Sequence, residues 1–212
     1  MSTSVTIGRL KASQNATNRA PFWLAGTLDI PASQKAARFV AFCDAFNLPI
    51  LTLVDTPGFY PGKDLEWRGM IRHGAQLVFA YARASVPRIC VILRKSYGGA
   101  YIVMDSKGVG NDVCLAWPAA EVAVMGAKGA VQILFARELR GIEDPAAADA
   151  RRTELEDRYT VEYCTPRTAA ERGYVDDVID PADTRRVVAA SLAMLATKRE
   201  RSEPRRHTNG PL

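Results

Sequence analysis

The sequence predicts an α/β fold, and three observations carry that prediction. Apolar runs at residues 49–54, 88–93, 114–117 and 121–125 alternate with segments of helical spacing. Strands that alternate with helices of this length make βαβ units with right-handed crossovers and a parallel sheet. The runs at 49–54 and 88–93 are continuously apolar, the pattern of strands covered on both faces. Finally, a strand twice runs into a glycine-rich turn that opens a helix: Lys95-Ser96-Tyr97-Gly98-Gly99-Ala100-Tyr101-Ile102, and Met125-Gly126-Ala127-Lys128-Gly129-Ala130.

Taken in order, residues 1–25 mix Asn, Ser, Thr and Arg with apolar residues and define no element. Residues 33–46 place Ala36, Ala37, Phe39, Val40, Phe42 and Cys43 at helical spacing, with Ser33 as the expected N-cap. The strand at 49–54 ends at the turn Thr56-Pro57-Gly58. Residues 65–84 read as one long helix. It carries Leu65, Ile71, Leu77, Val78, Phe79 and Tyr81, more apolar side chains than one core-facing stripe needs. Helices are expected at 99–108 and 129–140, with a charged amphipathic helix at 145–163 and another helix at 184–198. No internal repeat or low-complexity segment is present.

With 212 residues, 48% of them hydrophobic and 24% charged, the chain has the size and composition of one domain with a substantial core. The net charge of +5 is mild. Much of it sits at Lys198, Arg199, Arg201, Arg205 and Arg206, either as a solvated tail or as an attraction for an anionic ligand such as a nucleotide phosphate. No basic stripe is interleaved with aromatic residues, which argues against nucleic acid. The four cysteines (Cys43, Cys90, Cys114 and Cys164) form no C-x-x-C pair. Cys90 and Cys114 lie inside apolar segments and read as small core residues in a reducing compartment. No apolar run approaches the length of a membrane span, and the start lacks a secretory pattern, so a soluble cytoplasmic protein is expected.

Several motifs are excluded by what they lack. Asp55-Thr56-Pro57-Gly58 looks like a GTPase switch segment, but that chemistry needs a P-loop. The nearest candidate, Gly62-Lys63, is followed by Asp64. A turn after a buried strand, lining a ligand crevice, is the better reading. Of the two histidines, His73 lies in a helical segment and reads as structural, while His207 sits in the basic tail. No His, Cys and Asp spacing suggests a metal site. Ser96 has no G-x-S-x-G context, so a serine hydrolase does not fit. The glycine turns remain. A turn at a helix start leaves backbone N–H groups unpaired, and such donors hold a developing oxyanion or enolate without any reactive side chain. Two of them, with no side-chain nucleophile in view, favour an oxyanion-stabilising site.

The segments AGTLDI, VDTPGFYPG, IRHGAQL, RKSYGGAY, AVMGAKGAV and ERGYVDDVI, in that order, resemble the biotin-dependent acyl-CoA carboxyltransferases. More narrowly, they are similar to the C-terminal half of propionyl-CoA carboxylase β subunits, from about Leu24 to the end. The resemblance implies a crotonase fold of stacked ββα spiral turns over residues 24–212, behind a divergent segment at 1–23. It implies transfer of a carboxyl group from carboxybiotin, carried on a separate biotinylated protein, to the α-carbon of an acyl-CoA. Gly99 and Ala100 match the turn that holds the biotin ureido oxygen, with Gly98 supporting it. Gly126 and Ala127 match the second such turn. Tyr101 and Ile102 match substrate-side positions, Ile102 lining the acyl pocket.

The implied partners are an N-half carboxyltransferase chain, the carrier or biotin carboxylase subunit, and further copies of this chain in a trimer or dimer of trimers. No metal is expected. The chain also departs from the family pattern. The N-terminal half is missing, Ala12-Ser13-Gln14-Asn15 stands where the family usually has a different turn, and Lys128 stands where Glu or Gln is commoner. Two other outcomes stay open: a non-catalytic assembly paralogue, and an acyl-CoA decarboxylase that uses the same oxyanion chemistry.

Overall fold

The computed structural model describes residues 26–200; the segment at 1–23, Leu24, and the tail residues Arg201, Arg205, Arg206 and His207 lie outside the described residues. A parallel sheet runs through the centre. Its strands are β1 (Ile50–Thr56), β2 (Arg88–Tyr97), β3 (Val113–Ala116), β4 (Glu121–Ala123) and β5 (Asp177–Val178), ordered β1-β2-β3-β5, with β4 also on β2. The ten-residue β2 pairs with β1 on one edge and serves two neighbours on the other. Its residues 89–92 pair with β3 and its residues 95–97 pair with β4. Along that edge β3 therefore gives way to β4 half-way along β2, while Thr56 of β1 still pairs with Ser96 beyond a register shift.

Helices cover the two faces. The first is α1 (Ile30–Ala45); α2 (Lys63–Trp67) and α3 (Met70–Arg83) lie between β1 and β2, and α4 (Gly98–Val103) follows β2 directly. After β4 come α5 (Ala127–Leu134), α6 (Ala136–Arg140), α7 (Pro145–Tyr159), α8 (Pro166–Glu171) and α9 (Thr184–Met194). Side chains alternate across β2, which accounts for two cores. Cys90 and Ile92 pack with Val40, Leu77, Tyr81 and Cys114 beneath α1 and α3. Ile89 and Val91 pack with Leu115, Ile179 and Val188 beneath α9. Leu77 is fully buried, and truncation to Ala there costs about 2–5 kcal/mol. Among the described residues, no helix is long and apolar enough to cross a membrane.

The structure corrects several sequence expectations. α1 is capped by Asp29, whose carboxylate accepts from the Ala32 N–H at 2.8 Å. Ser33 is instead buried in the first turn with its hydroxyl unpartnered. Pro31, in that turn, lacks an N–H where none is needed. The single helix expected at 65–84 is broken between α2 and α3 by Gly69, whose φ of 89° is left-handed and ends a right-handed helix. The expected helix at 99–108 stops at Val103, because Asp105 turns left-handed at φ 59° and a short 3-10 turn follows. Residues 129–140 divide at Phe135 into α5 and α6. The helix expected at 145–163 ends at Tyr159 and continues as one π-helical turn, Thr160–Cys164. α8 and β5 are too short to leave a periodic signature.

Candidate active site

The pairing of β2 with β4 decides where the two glycine turns go. Tyr97 is opposite Ala123 at the end of the ladder, so the turn into α4 and the turn into α5 leave the sheet side by side. They touch. Gly98 has φ 58°, and a Cβ there would meet the Val124 carbonyl at 3.0 Å. Gly126 is the N-cap of α5, and a Cβ there would meet the Tyr97 ring at 3.2 Å. Both positions need glycine because the other turn occupies the space. The Tyr97 hydroxyl donates to the Glu121 carboxylate at the start of β4. Burial, reinforced by that carboxylate, pushes the Tyr97 phenol well above its ordinary pKa.

No side chain caps α4. The N–H groups of Gly98, Gly99 and Ala100 are therefore first-turn donors with no intrahelical acceptor. The Ala100 side chain is fully buried and contributes to the core, so only its backbone can serve chemistry. Gly99 is exposed. Two crevices open on either side of this turn. One, of about 490 Å³, is lined by Gly98, Gly99, Tyr101, Ile102, Val124 and the rings of Tyr159, Tyr163 and Tyr174, with Arg172 also on its lining. The other, of about 400 Å³, is lined by Phe59, Tyr60, Met70, Ile71, Gly99 and Ile102. Gly99 and Ile102 line both, so the start of α4 is the wall the two crevices share.

The residues singled out from sequence therefore separate. Gly98, Gly99, Tyr101 and Ile102 come together at the crevices. Tyr101 reaches the Tyr174 carbonyl at 3.3 Å, and burial raises its phenol pKa. Gly126 and Ala127 are not on either lining; they stand behind the first turn, and Val124 takes the exposed place. The apolar and aromatic walls escaped sequence reasoning. Tyr159 and Tyr163 at i and i+4, with ring centroids 5.0 Å apart, were the signal that could have found one of them. His73 is buried in α3 with a ring nitrogen 2.9 Å from Gln76 and lines neither crevice. The Asp55 carboxylate accepts from Arg94 and from the Lys95 N–H, tying β1 to β2. Among the described residues, no group of three or more His, Cys, Asp or Glu is placed to hold a metal.

The family description "Carboxyl transferase domain" matches residues 12–209, nearly the whole chain. The chain belongs to the carboxyl transferase domain family.

This carboxyl transferase domain is 56% identical to the propionyl-CoA carboxylase beta chain of Saccharopolyspora erythraea, over 97% of the chain and 38% of that relative. It is 49% identical to the methylmalonyl-CoA decarboxylase subunit alpha of Propionigenium modestum, over 91% of the chain and 37% of the relative. A solved transcarboxylase 12S hexamer with methylmalonyl-coenzyme A and methylmalonic acid bound superimposes with a TM-score of 0.81 at 52% identity, over 88% of this chain and 35% of that one. The domain thus spans little more than a third of the length of these relatives. The architecture is the crotonase type expected from the motifs, with β3, β4 and α5 forming one ββα turn.

Proposed function

We propose that this domain is the biotin-side, C-terminal-type half of an acyl-CoA carboxyltransferase, and that it works together with an N-half. The observation that carries the proposal is the shared wall: exposed Gly99, in an uncapped helix start, lines two separate crevices at once. Transfer between two large substrates needs such a meeting point. When bound, carrier-borne carboxybiotin would supply the carboxyl group and would present its ureido oxygen to backbone donors. The N–H groups of Gly99 and Ala100 are assigned to that oxygen. One donor of this kind is worth about 3 kcal/mol of barrier in other enzymes. The apolar side chain of Ile102, half exposed on the shared wall, is assigned to the acyl group. Tyr101 holds the other wall through Tyr174. Gly126 and Ala127 are assigned to the support of the first turn.

Half of a two-domain site lacks its acyl-CoA pocket. Tyr60 and Ile71, both exposed on the lining of the second crevice, and exposed Trp67 next to its Glu66 are the surface we assign to the N-half or to another copy of the chain. The purified chain alone is expected to transfer no carboxyl group from carboxybiotin to any acyl-CoA. Adding a matching N-half chain with a biotinylated carrier is expected to restore transfer. Robust carboxylation by the chain alone would sink this reading. A second reading, decarboxylation of an acyl-CoA, has the 49% identity to a methylmalonyl-CoA decarboxylase subunit behind it. Transfer of the carboxyl group of methylmalonyl-CoA to free biotin, giving propionyl-CoA and carboxybiotin, without carboxylation of propionyl-CoA in the reverse direction, would select it.

A further inference from the structure

We infer that Tyr97 and Glu121 form a positioning pair that locks the two glycine turns into one unit and so sets where the Gly99 and Ala100 donors point. The inference rests on the proposed role of those donors. Three contacts join the turns, and Tyr97 is in two of them. As the N-cap of α4, Tyr97 fixes the direction in which Gly98, Gly99 and Ala100 leave the strand. Its ring fills the space against Gly126, the N-cap of the other helix. Its hydroxyl donates to Glu121, two residues before Ala123, where β4 ends and the second turn begins. The third contact is Gly98 against the Val124 carbonyl.

The chemistry of the pair suits a fixed strut. A phenol donating to a carboxylate is a charge-assisted hydrogen bond, stronger and more directional than a neutral one. Tyr97 is only 8% exposed, and its bond to the half-buried Glu121 is partly screened from water. Burial and the neighbouring carboxylate both hold the proton on the phenol, so the donor and acceptor roles do not exchange near neutrality. The nearby Cys164 thiol is buried, and its pKa is raised to about 11 first by burial and then by the Glu121 charge, so it stays protonated. Oxyanion donors tolerate little displacement, about 0.5 Å in working sites, so a support of this kind governs turnover more than binding.

The test uses Tyr97→Phe, which keeps the ring against Gly126 and removes only the hydroxyl. In hydrogen exchange on the isolated chain, amides of residues 98–101 and 124–128 are expected to exchange about fivefold faster together, while α1 and α9 are unchanged. In the assembled enzyme with N-half chain and carrier, kcat is expected to fall about tenfold with KM for the acyl-CoA within about twofold, the signature of a lost transition-state contact. Glu121→Gln, which keeps an acceptor oxygen, is expected to lose less than Glu121→Ala. Wild-type exchange at both turns in Tyr97→Phe overturns the inference, as does a fall that appears only in KM. Coupled exchange in an assembly whose wild type does not turn over would support the pair and overturn the functional reading instead.

Discussion

Arg88 and Asp105 form a fully buried ion pair, with Arg88 Nη1 donating to Asp105 Oδ1 at 2.6 Å. Arg88 opens β2, and Asp105 is the left-handed residue just past α4. The guanidinium also reaches the Gly110 carbonyl at 2.5 Å, and Asn111 donates to the Asp105 carbonyl at 2.9 Å. The pair therefore pins the far end of α4 to the base of the strand that leads into it.

Breaking this pair from one side is expected to be costly. Arg88→Met leaves an uncompensated carboxylate and is expected to destabilise the chain by about 3–5 kcal/mol in urea unfolding. The double change Arg88→Met with Asp105→Leu is expected to recover much of that loss. Equal destabilisation by the single and double variants would contradict the assignment.

The same carboxyl predicts a pH dependence. Burial pushes Asp105 up to about 6, outweighing the opposing pull of Arg88. Between the ordinary carboxyl value and about 6, the folded chain holds a proton that the unfolded chain has already released. The contribution of Asp105 is therefore present at low pH and is lost as pH rises through about 6. Wild type is expected to lose stability relative to Asp105→Asn between about pH 4 and pH 7. A constant difference across that range would show that Asp105 does not titrate there.

Neighbouring glycines are expected to respond differently. A Cβ at Gly99 would sit 3.5 Å from the Phe59 ring, an ordinary contact, and its φ is not left-handed. Gly99→Val is therefore expected to fold normally and to lower turnover of the assembled enzyme by at least about a hundredfold, by blocking the donors. Gly98→Ala forces a side chain into a left-handed backbone against Val124 and is expected to cost about 1–3 kcal/mol in stability. Thermal unfolding and turnover of both variants separate the two roles; unchanged turnover in Gly99→Val would make the turn purely structural.

The corrected cap of α1 can be tested directly. Asp29→Ala is expected to cost about 1 kcal/mol, because it removes the acceptor for the Ala32 N–H. Ser33→Ala is expected to be neutral or stabilising, because it removes a buried hydroxyl that has no partner. Denaturant midpoints decide between the two residues, and the opposite ranking would restore Ser33 as the cap.

Assembly gives a further prediction. Trp67 is 82% exposed and Ile71 78% exposed, on consecutive helices beside the second crevice. Apolar surface of this kind is seldom left bare. The chain is expected to form a homo-oligomer, a trimer or dimer of trimers, at micromolar concentration by light scattering. Ile71→Glu is expected to shift the mass toward monomer. A monodisperse wild-type monomer would count against this.

Much of the architecture was legible without coordinates. The strands at β1, β2 and β3 show as apolar runs because both of their faces are covered. The Gly98-Gly99-Ala100 turn shows because the residues themselves lack the atoms that would obstruct a ligand. Cys90 and Cys114 were legible as core for the same reason as their neighbours. Breaks inside helical patterns were not. The apolar spacing through Ile71 continues across Gly69, and nothing local marks Asp105 as left-handed; the buried Arg88, seventeen residues earlier, and Asn111 hold it there.

The chain by itself thus determined the strands at β1, β2 and β3, the rough course of its helices and its family motifs, since these depend on residues close in sequence. The tertiary structure alone decided which turn lines the crevices. It did so through pairing at a distance: β2 ends against β4, so Gly126 and Ala127 fall behind Tyr97 while Gly99 is left on the wall of two crevices. It also decided the walls themselves, because Tyr163 and Tyr174 line a crevice with Gly98 only once α7 packs on α5 and α8 packs against β4 and β5. Long-range packing sets such juxtapositions, and no local spacing encodes them.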